Sequence, residues 1–269
     1  MLSTLLCASL MLARQGDELT GDQILSKLIA KYSAASSMSG EFLMTQTAQN
    51  KKVTILTKIA TEKPSKLFIE QTSDTVDPRS WKAVCDGGTF VYDSPWKPGS
   101  VFARQRIQES TAFVDKADGQ PKVMKLNDLY IASRRSLGDP TSPFLELTLH
   151  SPESMTTLKA YSKRLYKPKK GADKTLEDGT VVYSITGQIQ FGAKDVADRG
   201  LTVSEDYNAI GRIELLVSKE FDLRQVKISE SLSIPVPDSN LPVQVSVVTT
   251  WAGKLNLDVK NDPKIFSPN

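Results

Sequence analysis

Histidine occurs once in the 269 residues, as His150, and cysteine twice, as Cys7 and Cys85. That scarcity removes most nucleophilic and metal-binding constellations. A Ser-His-Asp or Cys-His arrangement would have to use His150, and no Gly-x-Ser-x-Gly turn is present to display a nucleophile. The His and Cys spacings of a zinc site are missing, and so is a glycine-rich loop that cradles phosphate. His150 stands alone in an apolar stretch before Pro152, which reads as a surface or core residue rather than a ligand. Glu205 and Asp206 are adjacent, and neighbours on an extended chain point to opposite faces, so they make a poor acid/base pair. Asp86 falls in a turn. The expectation is a protein that is not an enzyme, with no metal and no cofactor.

An excess of one charge is also lacking. The net charge is +3 with both signs interspersed, which gives nucleic acid no footing. The densest basic patch, Lys167, Lys169, Lys170 and Lys174, flanks Pro168 and Gly171 and reads as a solvated loop. Contact with an anionic membrane surface is its functional alternative.

The uncharged start Met1–Ala13 carries Leu2, Leu5, Leu6, Leu10, Met11 and Leu12, then turns polar at Arg14. It is too short to span a bilayer, whose core needs about 20 apolar residues. Residues 1–16 suit a secretory leader, although no Lys or Arg precedes the apolar part; a frayed amphipathic helix on a cytosolic protein is the other reading. The bulky Leu6 argues against lipid attachment at Cys7. With a leader removed, Cys85 stands alone and no intrachain disulfide can form.

What is present is periodicity. Thr20 and Gln23 have the spacing of a capping box, and Ile24, Leu25, Leu28, Ile29 and Tyr32 follow at helical intervals within 17–37. From Gly40 the period drops to two. Phe42 and Met44, then Val53, Ile55, Thr57 and Ile59, then Leu67 and Ile69, mark three strands, and Asp86-Gly87-Gly88 marks a tight turn before Phe90-Val91-Tyr92. The middle is less regular, with a strand expected at Val101–Arg106, helices at Asn127–Leu137 and Pro143–His150, and a short element from Ser151 to Tyr166. Alternation returns at Val181–Phe191, Ile213–Val217, Val226–Ile228 and Val243–Trp251, the pattern of strands with one apolar and one wet face. No repeat or linker divides the chain, so residues 17–269 are expected to form one domain.

Several short stretches resemble the bacterial LolA/LolB-like lipoprotein carriers. A helix leading into Ser39-Gly40-Glu41-Phe42 is similar to that family's opening. Glu62-Lys63-Pro64-Ser65-Lys66-Leu67-Phe68 resembles its basic-Pro step into the third strand, and Val84-Cys85-Asp86-Gly87-Gly88-Thr89-Phe90-Val91-Tyr92-Asp93 its hairpin. Pro143-Phe144-Leu145-Glu146-Leu147 is similar to a short helix of the family, and Lys264-Ile265-Phe266-Ser267-Pro268 to its closing segment. The likeness runs in order over nearly the whole chain, with insertions around Asp115–Pro121 and Lys167–Asp178.

The resemblance implies an α+β fold, a half-open antiparallel β-barrel or curved sheet lidded by helices, whose concave apolar face takes acyl chains. Phe42, Met44, Ile55, Ile59, Leu67, Ile69, Phe90 and Tyr92 fall on phases compatible with that inner face. Each, taken singly, also fits an ordinary core between sheet and helix. Lys63 stands where carriers have a gating arginine; it keeps the charge and loses the planar fork of donors. The implied partner is a lipid or acylated lipoprotein, with transient membrane-surface contact and no nucleic acid, in a periplasmic or secreted setting. A regulatory sensor module of the anti-sigma-factor-partner type on the same scaffold is the alternative, and a hydrolase built on carboxylates that the sequence does not pair is a third reading.

Overall fold

The computed structural model describes residues 18–49, 51–64, 66–73, 81–87, 90–93, 143–149, 166–192, 208–234 and 243–267. The expected leader at 1–16, Cys7, the strand at Val101–Arg106, the helix at Asn127–Leu137, the insertion at Asp115–Pro121, His150, and Glu205 with Asp206 lie outside these residues. So does all of the expected element from Ser151 except its end, Tyr166, which begins a strand.

The first helix, α1, is set by local chemistry. It runs Gly21–Ala34, and Thr20 caps it: Gln23 N–H donates to Thr20 Oγ1 (3.2 Å) while Thr20 N–H donates to Gln23 Oε1 (2.8 Å). Two otherwise orphaned donors are satisfied in one exchange. Ile24, Leu25, Leu28 and Tyr32 are buried at helical spacing, so one stripe faces the core.

Five strands follow: β1 (Ser37–Ala48), β2 (Lys51–Glu62), β3 (Lys66–Ser73), β4 (Trp81–Asp86) and β5 (Phe90–Asp93). Gly87, at φ 107°, makes the expected turn between the last two, where a side chain would be strained. A short helix, α2 (Pro143–Leu149), precedes β6 (Tyr166–Lys170), β7 (Lys174–Thr175), β8 (Val181–Gly192), β9 (Asn208–Ser218), β10 (Leu223–Ile234) and β11 (Val243–Leu257). A 3₁₀ turn, Pro263–Phe266, seats buried Phe266 beneath β3 and β4.

All pairings are antiparallel, in the order β5-β4-β3-β2-β1-β11-β10-β9-β8-β6, with β7 on β8. Each half is a meander of neighbours in sequence, and the halves join where β1 pairs with β11. No pairing links β5 to β6 among the described residues, so the sheet is not closed into a barrel. The chain is α+β: an unclosed antiparallel sheet with helices packed on its inner face.

The central seam is tight. At the Phe42–Gly253 pair a Cβ on Gly253 would stand 2.6 Å from Phe42 Cα, and one on Gly40 would meet the Lys254 carbonyl oxygen. Two glycines therefore permit an approach that no side chain allows.

Two expectations need correction. The basic stretch Lys167–Lys174 is not a solvated loop, because β6 and β7 pair with β8 there, with a register shift between Tyr166 and Lys169. An edge strand tolerates Pro168 and lysines because it has an unpaired side. In β8 the apolar-face assignment holds for Ile185 but not at the start. Val181 is exposed, whereas Val182 and Ser184 are buried although they alternate with Ile185. The β7 strand pairs with β8 at Val181 and Val182.

Candidate functional site

The inner face is a largely apolar surface laid out by register, with Thr57, Thr61, Gln71 and Thr249 as buried polar positions on it. Met44 pairs with Ile55, Ile59 with Ile69, and Leu67 with Cys85. In the other direction Met44 pairs with Trp251, Trp251 with Val226, Val226 with Leu215 and Leu215 with Ile185. Phe42, Met44, Ile55, Ile59, Leu67 and Ile69 are all buried and belong to a single core with these residues. Phe90 and Tyr92 pair with Cys85 and Ala83, which continues the rows into β5; their side chains lie outside the described residues.

The helices lie against this surface in different ways. α1 is tied at both ends. Near its start Glu18 pairs with Lys170. Near its end Lys31 holds Asp222 and donates to the Glu220 carbonyl (2.8 Å), and Leu223 N–H donates to the Tyr32 hydroxyl (3.3 Å). Burial pushes the Tyr32 phenol up, so it stays neutral.

Lys63 adds a further tie. Its Nζ donates to the Ser33 carbonyl (2.6 Å) in the last turn of α1, and its backbone N–H donates to the Ser36 carbonyl (2.9 Å). A cation at that place satisfies a carbonyl that the helix leaves unpaired and complements its dipole. Partial burial pushes the ammonium down, opposed by the charge of Asp258. Asp258 in turn accepts from Ser36 N–H (2.8 Å) and Ser36 Oγ (3.0 Å), which hold its carboxyl below the usual range.

α2 is attached differently. Among the described residues its side-chain hydrogen bonds stay within the helix, from Thr148 Oγ1 to the Phe144 and Leu145 carbonyls. Its hold on the sheet is apolar, through buried Phe144, Leu145 and Leu147. Phe144 stacks on Phe42 with ring centroids 5.0 Å apart. The sequence marks α2 as a short helix but does not reveal this partner, since the two residues are about a hundred positions apart.

Cys85 is buried and free, and burial pushes its thiol up, with a hydrogen bond from the Gly87 backbone opposing. Such a thiol is held neutral and unreactive. Among the described residues no cluster of His, Cys, Asp and Glu is placed to hold a metal, and no helix is long and apolar enough to cross a membrane.

No protein-family model matches the chain, and no curated protein matches it by sequence. In structure it is similar to a LolA superfamily protein from Nitrosomonas europaea. The two are 12% identical over 93% of this chain and 98% of that one, with a TM-score of 0.31. It is also similar to LprF from Mycobacterium bovis (11% identity, 92% and 96% coverage, TM-score 0.41). The lipoprotein LppX of Mycobacterium tuberculosis is a third (10% identity, 86% and 93% coverage, TM-score 0.36). These likenesses are coarse.

Proposed function

We propose that the chain is a carrier that binds lipid or lipoprotein acyl chains on the inner face of its sheet, outside the cytoplasm, with α2 as the displaceable part of the cover. The observation that carries this reading is the contrast between the two helices over one apolar surface. α1 is fixed by ion pairs and hydrogen bonds at both ends and is about 10 Å across. The ten-strand path measures about 43 Å along its curve. The 14 residues of α1 span about 21 Å even where the helix runs across the strands, so part of the apolar rows lies beyond it.

Among the described residues α2 holds to those rows by apolar contact and packs against α1, and an acyl chain offers the same kind of contact. Methylenes that take the place of Phe144 on Phe42 and run on over Met44, Ile55 and Ile59 gain about 0.8 kcal/mol each on leaving water. Leu67 and Ile69 extend the track toward the β5 edge, where the register of Phe90 with Cys85 and of Tyr92 with Ala83 carries the same rows onward. Met44 suits variable occupants because its thioether is unbranched and polarizable. Lys63 acts from the rim: it keeps α1 seated while α2 moves.

Native mass spectrometry of the chain from its own host, with titration of a fluorescent long-chain fatty acid, tests the reading. A co-purified lipid mass and saturable probe binding that native acyl lipids compete away are expected. No lipid mass together with no saturable binding means that the inner face is ordinary core, and the carrier reading fails.

A further inference from the structure

The side of the sheet that faces away from the helices has a concavity of its own. Thr186 and Gln188 on β8, Arg212 on β9, and Lys227 and Ser229 on β10 alternate with the buried Ile185, Ile213, Val226 and Ile228, so they project from the outer face. Register lines them up in two rows. Lys169 pairs with Thr186, Thr186 with Glu214 and Glu214 with Lys227; Gln188 pairs with Arg212 and Arg212 with Ser229. Together they line a groove of about 690 Å³, and a smaller one of about 320 Å³ adjoins it at Arg212.

The charges in this groove do not balance. Nearby, Lys170, Lys174, Lys219 and Arg224 each hold a carboxylate. Among the described residues Lys169, Arg212 and Lys227 make no ion pair within 4 Å, although the charge of Lys227 also acts on Glu214 beside it. The one carboxylate in the groove is already engaged: Glu214 accepts from Lys174 Nζ and from Ser184 Oγ (2.9 Å). Glu230 lines only the smaller adjoining groove; by alternation on β10 it falls with Val226 and Ile228 rather than with Lys227 and Ser229. Three cations gathered in a concave polar surface raise the local concentration of anions.

We propose that this groove is a second binding site, for a phosphate-bearing polar molecule. The phosphate sits between Arg212 and Lys227, and the polar remainder runs toward Lys169. A guanidinium fork holds two phosphate oxygens at once, and lysine adds a point charge. The Gln188 amide and the Thr186 and Ser229 hydroxyls supply donors for the remaining oxygens. Lys169 and Lys227 stand three strand spacings apart, about 14 Å, so a ligand that reaches both is larger than a bare phosphate. The concavity and its polar lining favour a headgroup-sized solute over a flat bilayer. The site lies on the opposite face from the acyl-chain track and stands or falls independently of it.

Calorimetric titration of the full chain with inorganic phosphate, glycerol 3-phosphate, and phosphatidylglycerol vesicles tests the site. Saturable binding of glycerol 3-phosphate is expected, weakened at least about tenfold in Arg212→Gln/Lys227→Gln. The control Lys254→Gln, also on the outer face, binds as the parent does. That pattern identifies a free phosphorylated solute. Binding confined to the vesicles and weakened by the same double variant supports the site and identifies a lipid headgroup. No saturable binding by any probe, or binding indifferent to the double variant, overturns it. Should the double variant fold poorly, amide shifts in the parent decide: shifts centred on β8–β10 support the site, and shifts elsewhere overturn it.

Discussion

Phe144 lies flat on Phe42, the two rings 5.0 Å apart and 11° from parallel, so a helix residue covers a β1 side chain two positions from Met44, where the apolar rows meet. Both rings are fully buried or nearly so. Replacing the upper ring separates two quantities that an ordinary core keeps together. Phe144→Ala is expected to lower stability by about 3–5 kcal/mol through lost burial and the void left behind. The same change should tighten binding of a fluorescent fatty acid, because the ligand no longer displaces the ring. Urea unfolding and probe titration on one preparation measure both. Weaker or absent binding in Phe144→Ala would count against a displaceable α2.

Gly253 tests the seam. A methyl there meets the Glu41 carbonyl oxygen and Phe42 Cα, which are backbone atoms that cannot turn aside. Gly253→Ala is expected to cost about 1–3 kcal/mol, whereas Ala252→Gly, one residue away, should cost less than half of that. Denaturant midpoints with unchanged slopes check it.

Lys63 is expected to matter as a charged donor to the end of α1. Lys63→Met removes the bond to the Ser33 carbonyl and should cost about 1 kcal/mol. Lys63→Arg should recover most of it. Hydrogen exchange at the last turn of α1 provides the readout, with faster exchange in the methionine variant only.

Acid sensitivity follows from Asp178, in the turn between β7 and β8. Hydrogen bonds from the Thr180 side chain and backbone, then from Arg224, draw its carboxyl from 3.8 down to about 2. A folded value below the unfolded one means that this contribution is complete above about pH 4 and lost as pH falls toward 2. Stability should decline across that window, and Asp178→Asn should flatten the decline. Denaturant melts at several pH values across the window distinguish the two; parallel curves for parent and variant would refute the assignment.

Cys85 offers a clock for unfolding. In a Cys7→Ser background the buried thiol should resist a thiol reagent under native conditions and react at the rate at which the sheet opens. Rapid labelling at neutral pH without denaturant would contradict its burial.

Much of this fold was legible locally. Thr20 and Gln23 announced the start of α1, Asp86-Gly87 announced the β4–β5 turn, and the alternation at Ile213–Val217 and Val226–Ile228 assigned the buried side of each strand. Local pattern failed where tertiary context decides. Lys169, Lys170 and Lys174 look like loop residues because charge and Pro168 disfavour strands, yet an edge position removes that penalty. Val182 alternates with Ile185 and so looks outward, yet it is fully buried, which its own strand does not reveal. The pairing of β1 with β11 has no local signature, since any two alternating strands are candidates. The inner-face positions were legible as a phase, but burial alone is identical for a core residue and for one under a movable cover. The groove at Arg212 was invisible, because its cations come from three strands that only the register brings together.

The junction of β1 with β11 also dictates an order of events. Some two hundred residues separate partners such as Gln46 and Thr249. The first meander can form as soon as its own strands exist, but β1 then waits as an open edge, its amides and carbonyls facing solvent. Such an edge accepts whatever extended segment arrives first, including another copy of the same chain. Correct assembly therefore depends on keeping that edge unoccupied until β11 reaches it, and high contact order makes the wait long.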